Sequence, residues 1–151
     1  MSALKKGQRN YYSGKKKRHT LKTQVVVNKL TAQIVCIYTS PGRLHDFRIF
    51  KESNTHINPN SLVAVDSGYQ GLQKLHANTE LPKKNTKKNP LSKTDKEQNS
   101  QLASKRVLNE NVIGVVKRFR ILAEKYRNRR KRFNLRFNLI AGIYNFELSA
   151  G

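Results

Sequence analysis

Asp66 is the first candidate for chemistry in this chain. It ends the apolar run at residues 62–65 and is followed at once by Ser67 and Gly68. Carboxylate oxygens are the ligands that Mg²⁺ and Mn²⁺ prefer, and a carboxylate at the end of a buried strand lies where open α/β sheets place their ligands. An Asp before Ser-Gly is also typical of an Asx-turn. The sequence therefore leaves two interpretations of Asp66, a metal ligand and a turn-forming residue.

Glu110 is the second candidate, because basic residues accompany it at helical spacing. Arg106 lies four residues before it, and Lys117 lies eleven residues after Arg106. At about 100° per residue, these offsets place all three side chains within about 40° on one helical face. A carboxylate between two cations suits a site that holds phosphate together with a divalent ion. The alternative is a solvated Arg-Glu pair of little energetic weight.

Taken together, Asp66 and Glu110 predict a site for Mg²⁺ or Mn²⁺. Two such ions about 4 Å apart can activate a water or a 3′-hydroxyl and stabilise a leaving oxygen in phosphoryl transfer. We expect the two carboxylates to lie within about 8 Å of each other, close enough to share one ion.

The composition indicates a polyanionic partner. The 151 residues include 31 Lys and Arg against 9 Asp and Glu, which gives a net charge of +22. Such an excess repels itself in a compact fold and favours binding to nucleic acid. Cys36 is the single cysteine, there is no apolar run long enough to span a membrane, and the basic N-terminus lacks the apolar region of a signal peptide. We therefore expect a soluble cytoplasmic protein.

Two basic segments are the candidate DNA contacts. Tyrosines are interleaved with them, which favours contact with the phosphate backbone over the alternative of merely solvated faces. The first segment contains Lys15, Lys16, Lys17, Arg18 and His19, and the second contains Arg127, Arg129, Arg130 and Arg132.

The elements that must position these residues indicate a mixed α/β domain around one sheet, occupying residues 1–151. Residues 20–29 and 32–39 predict an antiparallel hairpin, and residues 61–68 predict a third strand buried on both faces. Asp46 is expected to cap a short helix after the hairpin. A Lys-rich loop covers residues 82–92, and Ser92 with Asp95 predicts the start of a long helix over 93–126. A last helix carries Phe133, Phe137, Ile140, Tyr144 and Leu148.

Five blocks of the chain carry a family resemblance: YYSGKKKRHTLKTQVVV, GRLHDFRIF, AVDSGYQG, RVLNENVIGVVKRFRIL and YRNRRKRFNLRFNLIAGIYN. In this order they resemble the DDE transposases of bacterial insertion sequences. The resemblance implies an RNase H-like fold that uses two Mg²⁺ or Mn²⁺ ions to cut the element's DNA ends and transfer strands to target DNA. It implies that Asp66 and Glu110 are catalytic metal ligands and that Arg106 and Lys117 contact phosphate. Self-association on DNA and association with the bacterial nucleoid are also expected.

The chain departs from the family pattern at one position. The family's first catalytic Asp lies on a central first strand, upstream of the tyrosine block, and no acid precedes Asp46 here. Asp46 matches the family's His-Asp pair at a helix start, so we interpret it as a structural cap. The missing strand would leave two neighbouring strands without hydrogen-bond partners. We therefore expect an N-terminally truncated or frameshifted catalytic domain that is inactive alone and works, if at all, with the upstream part of the transposase.

Two functions from different classes follow from these patterns. The first is a transposase catalytic region. The second is a non-enzymatic basic nucleic-acid-binding protein, or a degenerate transposon remnant that only binds DNA. The strand-end Asp together with the helical Arg-Glu-Lys pattern favours the first.

Overall fold

The computed structural model describes residues 12–13, 18–123 and 132–151. Among the predicted DNA contacts, Lys15, Lys16, Lys17, Arg127, Arg129 and Arg130 lie outside the described residues, as do the side chains of Arg18 and His19. The chain divides into two compact units. One comprises Met1–Leu44 with Val112–Gly151, and the other comprises His45–Asn111.

The first unit contains the predicted hairpin. Strand β3 (Leu21–Val27) pairs antiparallel with β4 (Ile34–Pro41), so that Val25 faces Ile37 and Leu21 faces Pro41. Two shorter strands, β1 (Tyr12–Ser13) and β2 (Arg18–His19), form a second antiparallel pair. β-Branched residues favour the extended backbone of the long pair. The side chain of Asn28 closes the turn by accepting a 2.9 Å hydrogen bond from the Leu30 N–H. The hairpin prediction is confirmed.

A C-terminal helix covers one strand of this hairpin. Helix α4 (Phe133–Ala150) packs against β4, and Asn145 joins the two elements. Its side chain accepts a bond from the Ile34 N–H and donates one to the Ile34 C=O, each at 2.8 Å. The Tyr144 hydroxyl donates to the Ala32 C=O at 3.0 Å. Apolar burial supports these bonds, and the buried hydrophobic side chains among the unit's described residues are Ile34, Ile37, Val112, Val116, Phe137, Ile140, Ala141 and Tyr144.

The second unit is built from short elements and the first part of a long helix. Helix α1 (Asp46–Glu52) is followed by two strands, β5 (Val63–Ala64) and β6 (Thr79–Glu80), which pair in parallel. Single 3₁₀ turns at Ser67–Tyr69 and Leu72–Lys74 lie between the strands. Helix α2 (Lys93–Val116) then begins, and its residues up to Asn111 belong to this unit.

The predicted helix start at Ser92 is confirmed. The Asp95 N–H donates to the Ser92 hydroxyl at 3.1 Å, and the Ser92 N–H donates to the Asp95 carboxylate at 3.2 Å. This reciprocal pair satisfies donors that a helix N-terminus would otherwise leave unpaired. Asn99, one turn further on, donates to the Lys83 C=O and accepts from the Lys83 N–H, both at 2.9 Å. The Lys-rich loop is therefore fastened to α2.

Three predictions about the elements differ from the structure. The third strand is two residues long and half-buried, and Leu62 before it is 65% exposed, so it is not a strand buried on both faces. The long helix α2 ends at Val116 and does not continue to residue 126. The N–H groups of Arg118 and Phe119 donate to the carbonyls three residues earlier, those of Val115 and Val116. A four-residue helix α3 (Arg120–Ala123) follows. Gly114 and the β-branched residues around it favour an end at this point. The described strands form three two-stranded sheets instead of one.

Candidate functional site

Asp66 forms the predicted turn and keeps its carboxylate accessible. It follows β5 as the N-cap of the Ser67–Tyr69 turn, and its Oδ1 accepts a 2.7 Å hydrogen bond from the Gly68 N–H. The residue is exposed, and no hydrogen bond from a described residue reaches its Oδ2. The turn thus uses one carboxylate oxygen and leaves the other accessible to a ligand. The two interpretations of Asp66 do not exclude each other.

A second carboxylate, from Asp46, lies beside the same turn. Helix α1 packs against the turn, and a Cβ added to Gly68 would overlap Asp46 Oδ2 and stand 3.0 Å from Asp66 Oδ1. The two carboxylates therefore flank the bare Cα of Gly68. Asp46 lies in the first turn of α1 as predicted, but the N-cap residue is His45, and its side chain makes no capping bond. The interpretation of Asp46 as the helix cap is corrected accordingly.

Tyr69 is half-buried, and its phenol interacts electrostatically with these two carboxylates. Burial raises the pKa of its phenol well above the usual value of 10.0, and the negative charges of Asp46 and Asp66 raise it further. The phenol therefore keeps its proton to a higher pH than an ordinary tyrosine does. No sequence pattern indicates this grouping, because Asp46 and Tyr69 are distant in sequence. The glycine directly after Asp66-Ser67 was the one available signal of a close approach.

Glu110 and Arg106 lie on α2 in different environments. Glu110 is exposed, whereas Arg106 is half-buried and its Nε is fully buried with no hydrogen-bond partner. Among the described residues the two side chains form no ion pair, so the alternative of a solvated Arg-Glu pair is not realised here. Lys117 is exposed and follows the last residue of α2, with its N–H bonded to the Ile113 C=O at 3.0 Å. Arg132, which directly precedes α4, is exposed.

A further carboxylate, unnoticed in the sequence, lies at the end of β6. Because β5 and β6 are parallel, Asp66 and Glu80 leave the sheet at the same edge, and the Val65 N–H donates to the Glu80 C=O at 3.1 Å. Glu80 Oε1 accepts a 2.6 Å bond from Lys105 of α2, while its Oε2 is buried without a partner. No local pattern distinguishes Glu80 in the sequence. Its ion pair with Lys105 fastens α2 to β6.

The acidic residues provide the oxygen ligands that a divalent ion prefers, but too few of them are grouped in one place. Asp46, Asp66 and Glu110 offer hard oxygen atoms of the kind that Mg²⁺ binds. Within residues 18–123 and 132–151, no group of three or more His, Cys, Asp or Glu side chains is arranged to hold a metal ion. No helix in the described part of the chain combines the length and the apolar character that a membrane span requires.

Comparison with known proteins identifies the family. Residues 2–145 match the family model of the DDE superfamily endonucleases. The chain is 48% identical over 145 residues to a probable transposase for insertion sequence element IS702 of Microchaete diplosiphon, and this match covers 96% of the chain. The chain spans about half, 52%, of the length of that relative. No solved structure matches the chain. On the family match and this identity, the chain belongs to the DDE superfamily endonucleases.

Proposed function

We propose that this chain is the catalytic region of an insertion-sequence transposase, which cuts DNA at the ends of the element and joins those ends to target DNA. The observation that carries the proposal is the family match over residues 2–145, combined with an exposed carboxylate, Asp66, at the carboxyl edge of the β5–β6 pair. The net charge of +22 supports DNA as the partner. The proposed partners are the insertion-sequence ends, the target DNA and a second transposase chain. The proposed place of action is the nucleoid.

Asp66 and Glu110 are the residues we assign to the divalent ions. Both are exposed, and Glu110 makes no ion pair with a described residue, so each has oxygen atoms to offer. Mg²⁺ or Mn²⁺, when bound, would supply positive charge at the scissile phosphate. Arg106 and Lys117 would neutralise phosphate charge, and Asp66 is held by its bond to the Gly68 N–H in an orientation fixed before DNA arrives.

The finer features of the family fold are part of the same proposal. We assign the chain to the RNase H-like architecture as a single domain over residues 1–151. In that architecture a first strand would carry a third carboxylate. Because residues 1–45 contain no acid, we propose that this carboxylate lies outside residues 1–151.

A cleavage assay tests this proposal. The purified chain is incubated with Mg²⁺ or Mn²⁺ and a duplex that carries the insertion-sequence ends, with and without a polypeptide that restores the upstream Asp-bearing strand. We expect no cleavage by the chain alone and metal-dependent cleavage by the combination, because the two-ion arrangement requires a bridging carboxylate. Glu97→Gln, which removes an exposed acid from the same helix as Glu110, is the matched control.

The variants separate the possible outcomes. Asp66→Asn and Glu110→Gln should each abolish the restored cleavage, and Glu97→Gln should not. Cleavage by the chain alone, lost in Asp66→Asn, would show that the third carboxylate is dispensable. Restored cleavage that persists in both Asp66→Asn and Glu110→Gln would remove these residues from the catalytic site.

A further inference from the structure

A polar cleft of about 280 Å³ lies next to Asp66 in the second unit. The Lys-rich loop forms one side, helix α2 forms another, and Ser67, the residue after Asp66, completes it. Its polar lining comes from Ser67, Lys83, Lys84, Asn85, Asn99 and Arg106. Every charged side chain in the lining is cationic, so the cleft favours an anion.

Arg106 supplies a buried donor that nothing in the described part of the protein uses. Its Nε is fully buried, and no described residue accepts a hydrogen bond from it. A buried donor without an acceptor costs roughly 1–3 kcal/mol, more when the group is charged, so such groups are rare in native structures. A ligand in the open cleft does not reach this buried Nε, but the rest of the half-buried Arg106 side chain lines the cleft and contributes its positive charge there. The guanidinium fork matches a phosphate group in shape as well as in charge.

The loop that carries the lysines is held in place before any ligand binds. Asn99 fastens the Lys83 backbone through two hydrogen bonds of 2.9 Å, and the Lys83 ammonium bonds to the Asp95 carboxylate. Lys83 is therefore already neutralised by its ion pair. Lys84 is exposed and forms no ion pair with any described residue. The charges that remain for a ligand are those of Lys84 and Arg106.

We propose that this cleft binds one backbone phosphate of a DNA strand, with Lys84, Arg106 and Ser67 as its donors. The inference rests on the proposed function and adds to it a specific contact in the Lys-rich loop. Because Ser67 directly follows Asp66, a phosphate in the cleft would hold the strand beside the candidate metal-binding carboxylate. Lys84 would then act as a DNA-positioning residue, distinct from the lysines elsewhere in the loop.

Two lysines of one loop provide a charge-matched test. Lys84 lines the cleft, whereas Lys88 lies at the exposed bend of the same loop and does not line it. Binding of a fluorescent duplex is measured for the wild type, Lys84→Ala and Lys88→Ala between about 50 mM and about 200 mM salt. A lost phosphate contact reduces the slope of log K against log salt by about 0.9. We expect that reduction for Lys84→Ala and less than half of it for Lys88→Ala.

A second arm distinguishes DNA phosphate from free phosphate. Amide NMR spectra of the wild type and Lys84→Ala are recorded with inorganic phosphate against chloride at equal ionic strength. Saturable shifts at Ser67 and Asn85 that Lys84→Ala abolishes, together with the altered slope, support the proposal. The same shifts with an unaltered slope would assign the cleft to a free phosphate compound and overturn the DNA contact.

The remaining outcomes separate this inference from the proposed function. If the wild type binds duplex and both variants lose equal slope, the cleft has no special role and the inference fails, while DNA as the partner stands. If the wild type binds no duplex even at low salt, DNA as the partner fails, and the cleft assignment fails with it.

Discussion

Gly68 separates two carboxylates that belong to different elements, Asp46 of α1 and Asp66 in the turn after β5. Their close approach is possible because residue 68 has no side chain, and burial together with their negative charges raises the pKa of the neighbouring Tyr69 phenol. The turn thus concentrates negative charge on an exposed surface of a strongly basic chain. At this scale the conformation of a few side chains determines whether Asp66 can present an oxygen atom to a ligand.

A side chain at position 68 should disturb this arrangement. In Gly68→Ala the new Cβ would overlap Asp46 Oδ2, and we expect the free energy of unfolding to fall by about 1–3 kcal/mol, as in other overpacked sites. In the Asp46→Ala background the same substitution should cost much less, because the overlapping atom is gone. Chemical denaturation of the wild type, the two single variants and the double variant measures the coupling.

Gly114→Ala serves as the control for this comparison of single and double variants. Nothing lies within 4 Å of a Cβ at position 114 in α2, so this substitution should stabilise the helix, by up to about 1 kcal/mol. An equal cost of Gly68→Ala with and without the Asp46 side chain would show that the carboxylate does not contact the turn.

At the scale of elements, the start of α2 depends on the ionised form of Asp95. Hydrogen bonds from Lys83 and Ser92 lower the pKa of the Asp95 carboxyl below its usual value of 3.8. A carboxyl whose pKa is lower in the folded state stabilises that state above its unfolded pKa, and the stabilisation is lost as the pH falls through the folded pKa. The helix start should therefore weaken in acid and not at neutral pH.

Asp95→Asn tests this dependence. Because the asparagine amide does not titrate, the variant's unfolding free energy should fall less between neutral pH and acid than that of the wild type. Glu97→Gln removes an exposed acid from the same helix and should follow the wild-type curve. Identical pH profiles for Asp95→Asn and the wild type would contradict a role for the ionised Asp95.

The contact between α4 and the hairpin depends on one amide side chain. In Asn145→Ala the Ile34 N–H and C=O would each lose a 2.8 Å bond, and a buried group left unpaired costs about 1–3 kcal/mol. We expect a loss of stability in that range, measured by thermal unfolding. Asn138→Ala removes a single exposed bond within α4 and should have a small effect. Equal effects of the two substitutions would show that Asn145 does not join the elements.

At the scale of the whole molecule, local patterns in the sequence predict the strands and helices more accurately than they predict the contacts between distant segments. The hairpin and the helix start at Ser92 are encoded by neighbouring residues, β-branched runs and a reciprocal cap, and both predictions are confirmed. The run before Asp66 is predicted to be buried, yet Leu62 is 65% exposed, because burial depends on which distant segment covers a strand.

The candidate site shows the same division. Asp66, Glu110 and Arg106 are identifiable from their spacing and from the family resemblance. The carboxylate of Asp46 beside Gly68 and the cleft between Arg106 and Lys84 are not, because each depends on elements that meet only in the fold. Asn99, which fastens the Lys-rich loop to α2, gives no sign of that role in a sequence pattern.

We propose that Asp66 and Glu110 share one divalent ion, and a titration with Mn²⁺ tests this shared site. Bound Mn²⁺ broadens the NMR signals of nearby amides, so a titration of the chain shows which residues surround the ion. We predict simultaneous broadening around residue 66 and residue 110 that either Asp66→Asn or Glu110→Gln abolishes, while Glu97→Gln leaves it intact. Broadening around residue 66 that leaves residue 110 untouched, or that survives Glu110→Gln, would contradict the shared site.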